Sequence, residues 1–523
     1  MRMGGKVAAA VAVLLCAAAA GSAAAASADE PRKPDGSTPL MQAAFEGDVA
    51  EAKRLIEAGA DVTATNIYGV NAMQLAADIG NTELIRLLLK AGADPESPNA
   101  DGETALHLVA RSGNVEAAKL LLNAGAKVDP VEQFGGQTPL MWAVARRHPE
   151  MVEFLLSRGA NVNARSVVRD YRRVATAESR AAPRDRGGFT PLLYAARHNC
   201  GECVEVLLKY KADVNLPDPS FVVPLSIAMM NSNWDIAKRL VEAGADVNQW
   251  DINGSSPLHV AIANMNSDDN RNPLDDDKPN KATGRDLIKL LLEHGANPNQ
   301  QLYHGVDFGS QADRGLTPFL AACRSGDIEL VKLLLEHGAN PRLATSDGRG
   351  PIIMAISGRR GRDNFFGSPP RVNRSAEGEK GSAAGGKRTN PQVELIRLLA
   401  KAGADVNLVA KIHLLARTRG GSALHYAVRA GGNREVIQTL LDLGIDINVK
   451  DEDGLTALDY AMGRGYVPFL AMPEPPNKPL SDFLRGKGAT IELAKTPDWP
   501  PQGPPIATAV YDSFIWPVDP VGP

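Results

Sequence analysis

Two cysteines, Cys200 and Cys203, have the spacing of a redox-active dithiol. At the start of a helix such a pair has a lowered thiol pKa, because the helix dipole stabilises the thiolate. However, no thioredoxin-like strand–helix–strand pattern surrounds them, and Val204 follows where covalent haem attachment needs a histidine. Cys203 also occupies a helix position that Ala117 and Ile236 fill in similar segments. We therefore expect packed thiols or a local disulfide here, and no redox catalysis.

Other reactive residue types are present but are not grouped for chemistry. The sequence contains no glycine-rich phosphate loop, no His-Glu-x-x-His and no Gly-x-Ser-x-Gly, and its nine histidines are scattered. The segment 264–283 contains Asp268, Asp269, Asp275, Asp276 and Asp277, but it lacks the alternating spacing and closing Glu of an EF-hand loop. A solvated acidic loop is therefore favoured over a calcium site. We predict no catalytic residue, no cofactor and no metal.

The overall charge argues against a nucleic-acid partner. The chain has 57 Lys and Arg against 61 Asp and Glu, a net charge of −4, and only 5% aromatic residues. Nucleic-acid binding needs a positive surface and aromatic side chains on which bases stack. The local exception is the segment 164–187, which holds seven arginines, Arg172 and Arg173 among them.

The chain repeats itself with a period of about 33 residues. Thr38-Pro39-Leu40 recurs as Thr138-Pro139-Leu140, Thr190-Pro191-Leu192, Ser256-Pro257-Leu258 and Thr317-Pro318-Phe319, beside softer copies. Most copies lead to a leucine-rich run and then to Gly-Ala-Asp or Gly-Ala-Asn, as at Gly59-Ala60-Asp61. Thr or Ser is suited to capping a helix N-terminus, and Pro to its first turn. Each copy therefore predicts two helices followed by a glycine-ended turn.

These motifs resemble those of the ankyrin-repeat family, from about residue 36 to residue 490. His107, His259 and His425 stand at the histidine of its Thr-Pro-Leu-His-x-Ala-Ala motif. The resemblance implies an all-α solenoid of about eleven helix-turn-helix units. In it, hairpins called fingers connect the second helix of one repeat to the first helix of the next. It also implies protein binding through the fingers and through the groove formed by the first helices.

In this family the two residues after the paired small residues face the groove. Here that position supplies a row of basic candidates for partner binding: Arg111, Arg146, Arg197 with His198, Arg324 and Arg429. Guanidinium groups in a groove suit a partner with an acidic surface. The alternative is that neighbouring carboxylates neutralise them. Cys323, after Ala321 and Ala322, is expected to be a lone thiol in the same groove.

The repeats are interrupted by insertions. Repeats 1–4 span residues 36–163, and repeats 5–11 span 188–490. Three insertions, 164–187, 300–314 and 408–419, fall in fingers, whereas 264–283 and 357–389 fall between the two helices of one repeat. They serve binding or are simply tolerated, since lengthening a surface loop costs little entropy. The Pro-rich tail 491–523 is expected to cap the last repeat or to act as a recognition peptide.

The first residues predict export. Arg2 and Lys6 precede an apolar run that is too short to span a bilayer, and Ala26-Ser27-Ala28 is a small-x-small cleavage site. Residues 1–28 are therefore predicted to be a signal peptide and 29–35 a short linker. Lipidation at Cys16 is disfavoured because Leu15 precedes it. The mature chain is expected in the periplasm or outside the cell, without a membrane span.

The leading functional hypothesis is a non-catalytic scaffold that binds a protein partner through its groove and fingers. The alternative is recognition of carbohydrate or cell-wall material by the extended fingers. Aromatic platforms on those fingers would favour the alternative, and Tyr171, Tyr303 and Phe308 are the residues that qualify.

Overall fold

The structure, a computed structural model, describes residues 32–168, 187–266, 280–303, 313–358, 390–411 and 420–490, except 453, 465, 468–471 and 474–475. These residues contain eleven consecutive pairs of α-helices. The first helices of the pairs are α1 (Pro39–Glu46), α3 (Ala72–Asp78), α5 (Ala105–Ser112), α7 (Pro139–Ala145), α9 (Pro191–Arg197), α11 (Pro224–Met230), α13 (Pro257–Asn264), α15 (Pro318–Ser325), α17 (Pro351–Ser357), α19 (Ala423–Arg429) and α21 (Ala457–Ala461). The second helices are α2 (Val49–Glu57), α4 (Thr82–Lys90), α6 (Val115–Asn123), α8 (Pro149–Ser157), α10 (Gly201–Lys209), α12 (Trp234–Glu242), α14 (Gly284–Glu293), α16 (Ile328–Glu336), α18 (Pro391–Lys401), α20 (Arg434–Asp442) and α22 (Lys478–Gly486).

The predicted capping residues begin the first helices. The Thr38 hydroxyl accepts the N–H of Met41, and Pro39 stands in the first turn of α1. Where Asn71 replaces threonine, its side chain accepts the Gln74 N–H, and the Gln74 side chain accepts the Asn71 N–H in return. Such caps satisfy backbone donors that have no partner within the helix.

The chain divides into two compact units, the first formed by repeats 1–7 and the second by repeats 8–11. Within each unit, the first helices pack side by side in chain order, and the second helices form a parallel outer layer. In α4, Leu84, Ile85 and Leu88 are completely buried between these layers. Burying a leucine or isoleucine side chain contributes about 1.5–3 kcal/mol, so stacking stabilises the repeats.

A ladder of backbone hydrogen bonds joins successive fingers. In unit 1 the Ala100 N–H donates to the Tyr68 carbonyl oxygen at 3.1 Å, and the Gln133 N–H donates to the Asp101 carbonyl oxygen at 2.7 Å. Gly69 has φ +71°, and a Cβ there would lie 3.0 Å from the Ala100 nitrogen. The finger turn therefore needs a glycine, both for its backbone conformation and for this close approach.

The second unit also contains two pairs of short β-strands. Strands β1 (Val409–Ala410) and β2 (Gly421–Ser422) pair antiparallel in the finger before α19. Strands β3 (Tyr466–Val467) and β4 (Met472–Pro473) pair antiparallel between α21 and α22. The expected second helix of the last repeat is present as α22.

The predicted insertions fall at two kinds of position relative to the helices. Residues 264–283 separate α13 from α14, and 357–389 separate α17 from α18, whereas 164–187, 300–314 and 408–419 lie between repeats. The predicted signal peptide, the tail 491–523 and most of each insertion lie outside the described residues.

Candidate functional site

Four of the predicted groove arginines share one structural position. Arg111, Arg197, Arg324 and Arg429 each stand seven residues after the N-cap residue of a first helix. Arg146 stands eight residues after its own N-cap. All five therefore lie at the C-terminal end of a first helix, but their surroundings differ.

Arg111 in unit 1 is engaged by its neighbours. Its guanidinium forms an ion pair with Asp78 at the end of α3. It also lies 5.6 Å from the centroid of the Trp142 ring on α7. Arg111 thus connects three consecutive first helices, and its charge is compensated within the chain.

Arg146 and Arg197 are the more available cations of unit 1. Both side chains are exposed. The Arg197 guanidinium lies 5.8 Å from the centroid of the Phe189 ring, and the His198 ring stacks on Tyr194 with centroids 6.2 Å apart. Within the described ranges, neither arginine forms an ion pair. Their charge is therefore open to an outside carboxylate.

Arg324 and Arg429 belong to unit 2 and have intramolecular contacts. Arg324 lies 2.9 Å from the Asp313 carboxylate, which is also 3.9 Å from Arg349. The Arg429 guanidinium lies over the rings of Tyr426 and Tyr460, at 5.7 Å and 5.6 Å from their centroids. These two arginines support the packing of unit 2, because a paired or ring-stacked guanidinium holds adjacent elements together. Arg172 and Arg173 lie outside the described residues.

The fingers of unit 1 expose large apolar side chains. Phe134 is 72% exposed, Ile67 70%, Tyr68 60% and Phe221 56%. Trp250 and Ile252 follow at 44% and 43%. At the groove, Phe45 and Ile79 add exposed apolar surface at the ends of α1 and α3. In the part of the chain that the structure describes, no second helix carries an exposed large apolar side chain.

The sequence interpretation missed most of these finger residues. It considered aromatic residues in the long fingers, where Tyr303 is 49% exposed, and where Tyr171 and Phe308 fall outside the described residues. It named no candidate in the short fingers that carry Tyr68 and Phe134. A signal was present, because each aromatic residue directly precedes a glycine in a turn, where solvated polar residues are usual.

Cys200, Cys203 and Cys323, the cysteines among the described residues, are buried. The structure joins Cys200 and Cys203 in a disulfide, with 4% and 0% exposure, and the Cys203 N–H donates to the Cys200 sulfur. For the protein in solution, the Cys200–Cys203 disulfide stays a prediction. The expectation that Cys323 faces the groove is wrong, because its side chain is completely buried. Counted from the cap Thr317, the paired small residues are Ala322 and Cys323, so Arg324 takes the groove position.

The motif histidines brace the turns between repeats. His107 accepts the Thr104 N–H through Nδ1, and its Nε2 lies 3.1 Å from the Gln137 carbonyl oxygen of the next repeat. His425 makes the same contacts to Ser422 and Leu455. Burial lowers the pKa of both imidazoles, and their hydrogen bonds to carbonyl oxygens only partly oppose this shift. Gln74 braces α3 in the same way with its amide.

The described ranges contain neither a metal-ligand cluster nor a membrane-spanning helix. No set of three or more His, Cys, Asp or Glu side chains there is arranged to hold a metal ion. None of the helices there has the length and hydropathy needed to cross a bilayer.

Family models for ankyrin repeats match most of the sequence. Models of several ankyrin repeats match residues 7–99, 72–166, 225–268, 280–364 and 399–461. A single ankyrin repeat matches residues 187–219 and 253–301. The chain belongs to the ankyrin-repeat family.

Ankyrin-repeat relatives come from viruses and bacteria. An ankyrin repeat protein of fowlpox virus (strain NVSL) is 34% identical over 126 residues, covering 20% of this chain and 36% of the relative. One from Acanthamoeba polyphaga mimivirus is 38% identical over 71 residues, covering 14% and 9%. One from Rickettsia bellii (strain RML369-C) is 34% identical over 89 residues, covering 14% and 47%. The chain therefore matches less than half the length of these relatives.

Solved ankyrin-repeat domains are similar to parts of the chain. The human ASB11 ankyrin repeat domain is 24% identical with a TM-score of 0.39, covering 50% of this chain and 100% of that domain. The Bcl-3 ankyrin repeat domain is 25% identical with a TM-score of 0.38, covering 49% and 99%. Ankyrin repeats are general protein–protein interaction modules, and proteins built from them are typically non-catalytic scaffolds. These comparisons give no support to the carbohydrate-binding alternative.

Proposed function

We propose that this chain is a non-catalytic scaffold whose first unit binds a protein partner through its finger tips and the adjoining ends of its first helices. The observation that carries the proposal is the one-sided distribution of exposed apolar side chains. Among the described residues of unit 1, they lie on fingers and first-helix ends. A clustered apolar surface of this kind marks a protein-interaction site, and aromatic residues contribute strongly to binding energy.

The charge of this surface suggests the partner's character. Arg146 and Arg197 lie at the ends of α7 and α9, exposed and without ion pairs among the described residues. A partner that presents carboxylates there would gain charge-assisted hydrogen bonds. We therefore propose a partner with an acidic patch beside an apolar one.

Affinity capture with matched variants tests the surface. The tagged mature chain is incubated with the native exported fraction, and the captured proteins are quantified by mass spectrometry. Phe134→Ser combined with Phe221→Ser should lower the recovery of the specific partner at least about tenfold, since aromatic contact residues often contribute 2 kcal/mol or more.

Tyr303→Ser is the matched control, because it removes a finger aromatic from unit 2 that is 49% exposed. It should leave recovery unchanged. Equal recovery of the partner with the wild type and the double variant would refute the proposal that this surface binds the partner. Charge reversal at Arg146 and Arg197 then tests the acidic patch, and unchanged binding would refute that part alone.

The proposed compartment is the periplasm or the cell exterior. The predicted leader and the paired cysteines support it, because disulfides persist in oxidising compartments. N-terminal sequencing of the protein from its native source should begin at Asp29. A chain that starts at Met1 in the cytosolic fraction would refute export.

A further inference from the structure

We propose that a cleft between two fingers of unit 1 binds one basic side chain, lysine or arginine, of the protein partner. This acidic cleft has a volume of about 290 Å³ and is lined by Asp101, Glu103, Glu132, Phe134, Gly135, Gln137 and Trp142. The inference rests on the proposed protein-binding function and specifies the chemistry of one contact.

The lining of the acidic cleft is negative. It contains three carboxylates and no lysine or arginine. Asp101 is exposed and makes no ion pair with any described residue, while Glu103 accepts one hydrogen bond from the Asn99 amide at 2.9 Å. Glu132 is 5% exposed and accepts N–H groups of Gly135 and Gln137 at 2.8 Å. Those donors are neutral, so its formal charge remains.

Two aromatic rings complete the acidic cleft. Phe134 is 72% exposed, and its ring can accept a cation on its face. Trp142 already has the Arg111 guanidinium 5.6 Å from its ring centroid, and that guanidinium is paired with Asp78. The combination of carboxylates and ring faces selects a cation over an anion or a neutral group.

A second feature of the acidic cleft is the indole N–H of Trp142, a residue that lines it. This nitrogen is buried and has no acceptor among the described residues. Buried donors in native proteins nearly always have a partner. The Trp142 N–H signal therefore reports on a ligand that enters the acidic cleft, because Trp142 lines it.

The finger that presents Phe134 is built differently from its neighbours. In the preceding finger, Asn99 accepts the N–H groups of Asp101 and Glu103, two and four residues on. Glu132 reaches as far as Gln137, five residues on, because the turn is one residue longer and the side chain is longer too. Glu132 is thus a positioning residue that holds Phe134 out beside the acidic cleft.

The size of the acidic cleft is sufficient for one long side chain. A volume of about 290 Å³ is at the lower end of small-molecule pockets, which span about 300–1,000 Å³. The exposed Arg146 follows Trp142 by four residues at the end of α7. A partner with one basic side chain next to an acidic patch would match both charges, and this pattern would fix its orientation.

Nuclear magnetic resonance on the full mature chain tests the proposal. The Trp142 indole N–H signal is assigned by its loss in Trp142→Phe. Three capped tripeptides are titrated: acetyl-Ala-Lys-Ala-amide, acetyl-Ala-Arg-Ala-amide and the neutral acetyl-Ala-Gln-Ala-amide. A basic peptide should shift the Trp142 signal saturably, with an affinity at least about tenfold above that of the Gln peptide. The Lys and Arg arms show which cation the cleft prefers.

Variants separate the acidic cleft from general charge attraction. Asp101→Asn combined with Glu103→Gln should weaken the basic peptide about tenfold or more, and Phe134→Leu should weaken it while keeping an apolar side chain. Glu116→Gln, which removes a charge from the outer helix α6, should leave the affinity unchanged. Equal shifts with the Gln peptide, no shift of Trp142, or full binding by the carboxylate variant would overturn the proposal.

The outcome is distinguishable from failure of the proposed function. If the basic peptides do not bind while the Phe134→Ser, Phe221→Ser variant still loses its partner, only the assignment of the acidic cleft is refuted. If the basic peptides bind while the Phe134→Ser, Phe221→Ser variant keeps its partner, the proposed protein-binding surface is refuted.

Discussion

Lys211 occupies a backbone position that other repeats give to glycine. Directly after the C-cap of the second helix, Gly59, Gly92, Gly125 and Gly159 have φ between 90° and 100°. Lys211 stands at the same place after α10 with φ 63°. Its N–H donates to the Leu208 carbonyl oxygen, as the Gly59 N–H donates to Ile56. We predict that Lys211→Gly stabilises unit 1.

The magnitude follows from two opposing effects. A side chain in the left-handed region costs about 1–2 kcal/mol, because Cβ crowds the following carbonyl oxygen. A glycine lowers the free energy of unfolding by about 0.5–1 kcal/mol, because it gives the unfolded chain more conformational freedom. The net gain is therefore about 0.5–1 kcal/mol. The Lys211 side chain is exposed, so little packing opposes the change.

Urea unfolding followed by far-ultraviolet circular dichroism measures the effect. Lys211→Ala is the control, because it removes the side chain but keeps the strained backbone, and it should be neutral. Gly159→Lys is the reverse change, and a Cβ at Gly159 meets nothing within 4 Å, so only backbone strain opposes it. It should destabilise by about the same 0.5–1 kcal/mol. The reasoning fails if Lys211→Gly is no more stable than Lys211→Ala.

Three further predictions concern the braces and the cysteines. Burial lowers the folded-state pKa of His107, so the free energy of unfolding should fall as the pH drops below the ordinary histidine pKa near 6.5. In urea unfolding from pH 8 to 5, His107→Gln should make the free energy of unfolding less dependent on pH. An unchanged pH dependence would contradict this role of His107. In unit 2, Arg349→Ala should cost about 3–5 kcal/mol in urea unfolding, because it removes the ion-pair partner of the Asp347 carboxylate, which is 3% exposed. Loss of the more exposed Arg324 in Arg324→Ala should cost about 1 kcal/mol or less, and the reverse order would refute the account. Thiol titration of the mature chain should find no reactive thiol in the native state, Cys323 alone after denaturation, and three thiols after reduction. Three thiols after denaturation without reductant would contradict the disulfide.

Local chemistry made the fold predictable. In repeat 1, Thr38-Pro39 marks the start of α1 and Gly59 marks the end of α2, and in repeat 2, Leu84, Ile85 and Leu88 mark the buried face of α4. Each of these signals depends on neighbours close in sequence. Repetition then strengthened signals that are weak in any one copy.

Partners of individual side chains were harder to predict, because they lie in adjacent repeats. Arg111 pairs with Asp78, which holds the equivalent position one repeat earlier, so comparing equivalent positions would have found the pair. Arg324 pairs with Asp313, which lies at the edge of an insertion with no equivalent elsewhere. No repeat comparison could have indicated that contact.

The position of Cys323 shows how a small error in register changes an interpretation. The sequence offers Ala321, Ala322 and Cys323 as three consecutive small residues. Choosing the first two as the paired small residues placed Cys323 in the groove. Counting from the cap Thr317 shifts the pair by one and buries the thiol.

The asymmetry between the two helical layers has a functional consequence. In unit 1 the second helices pair their charges locally, as Arg54 does with Glu51 and Arg86 with Glu83. Such exposed pairs contribute little to stability and leave a polar outer face. The finger tips instead expose apolar side chains, which is why we place the partner there.

Hydrogen exchange on the chain alone and in complex with its captured partner tests this placement most directly. The account predicts slower exchange in the fingers around 66–70, 132–137 and 218–222 and at the ends of α7 and α9. The outer helices α4, α6 and α8 should exchange at unchanged rates. Protection confined to the outer helices, with none at the finger tips, would contradict the central claim.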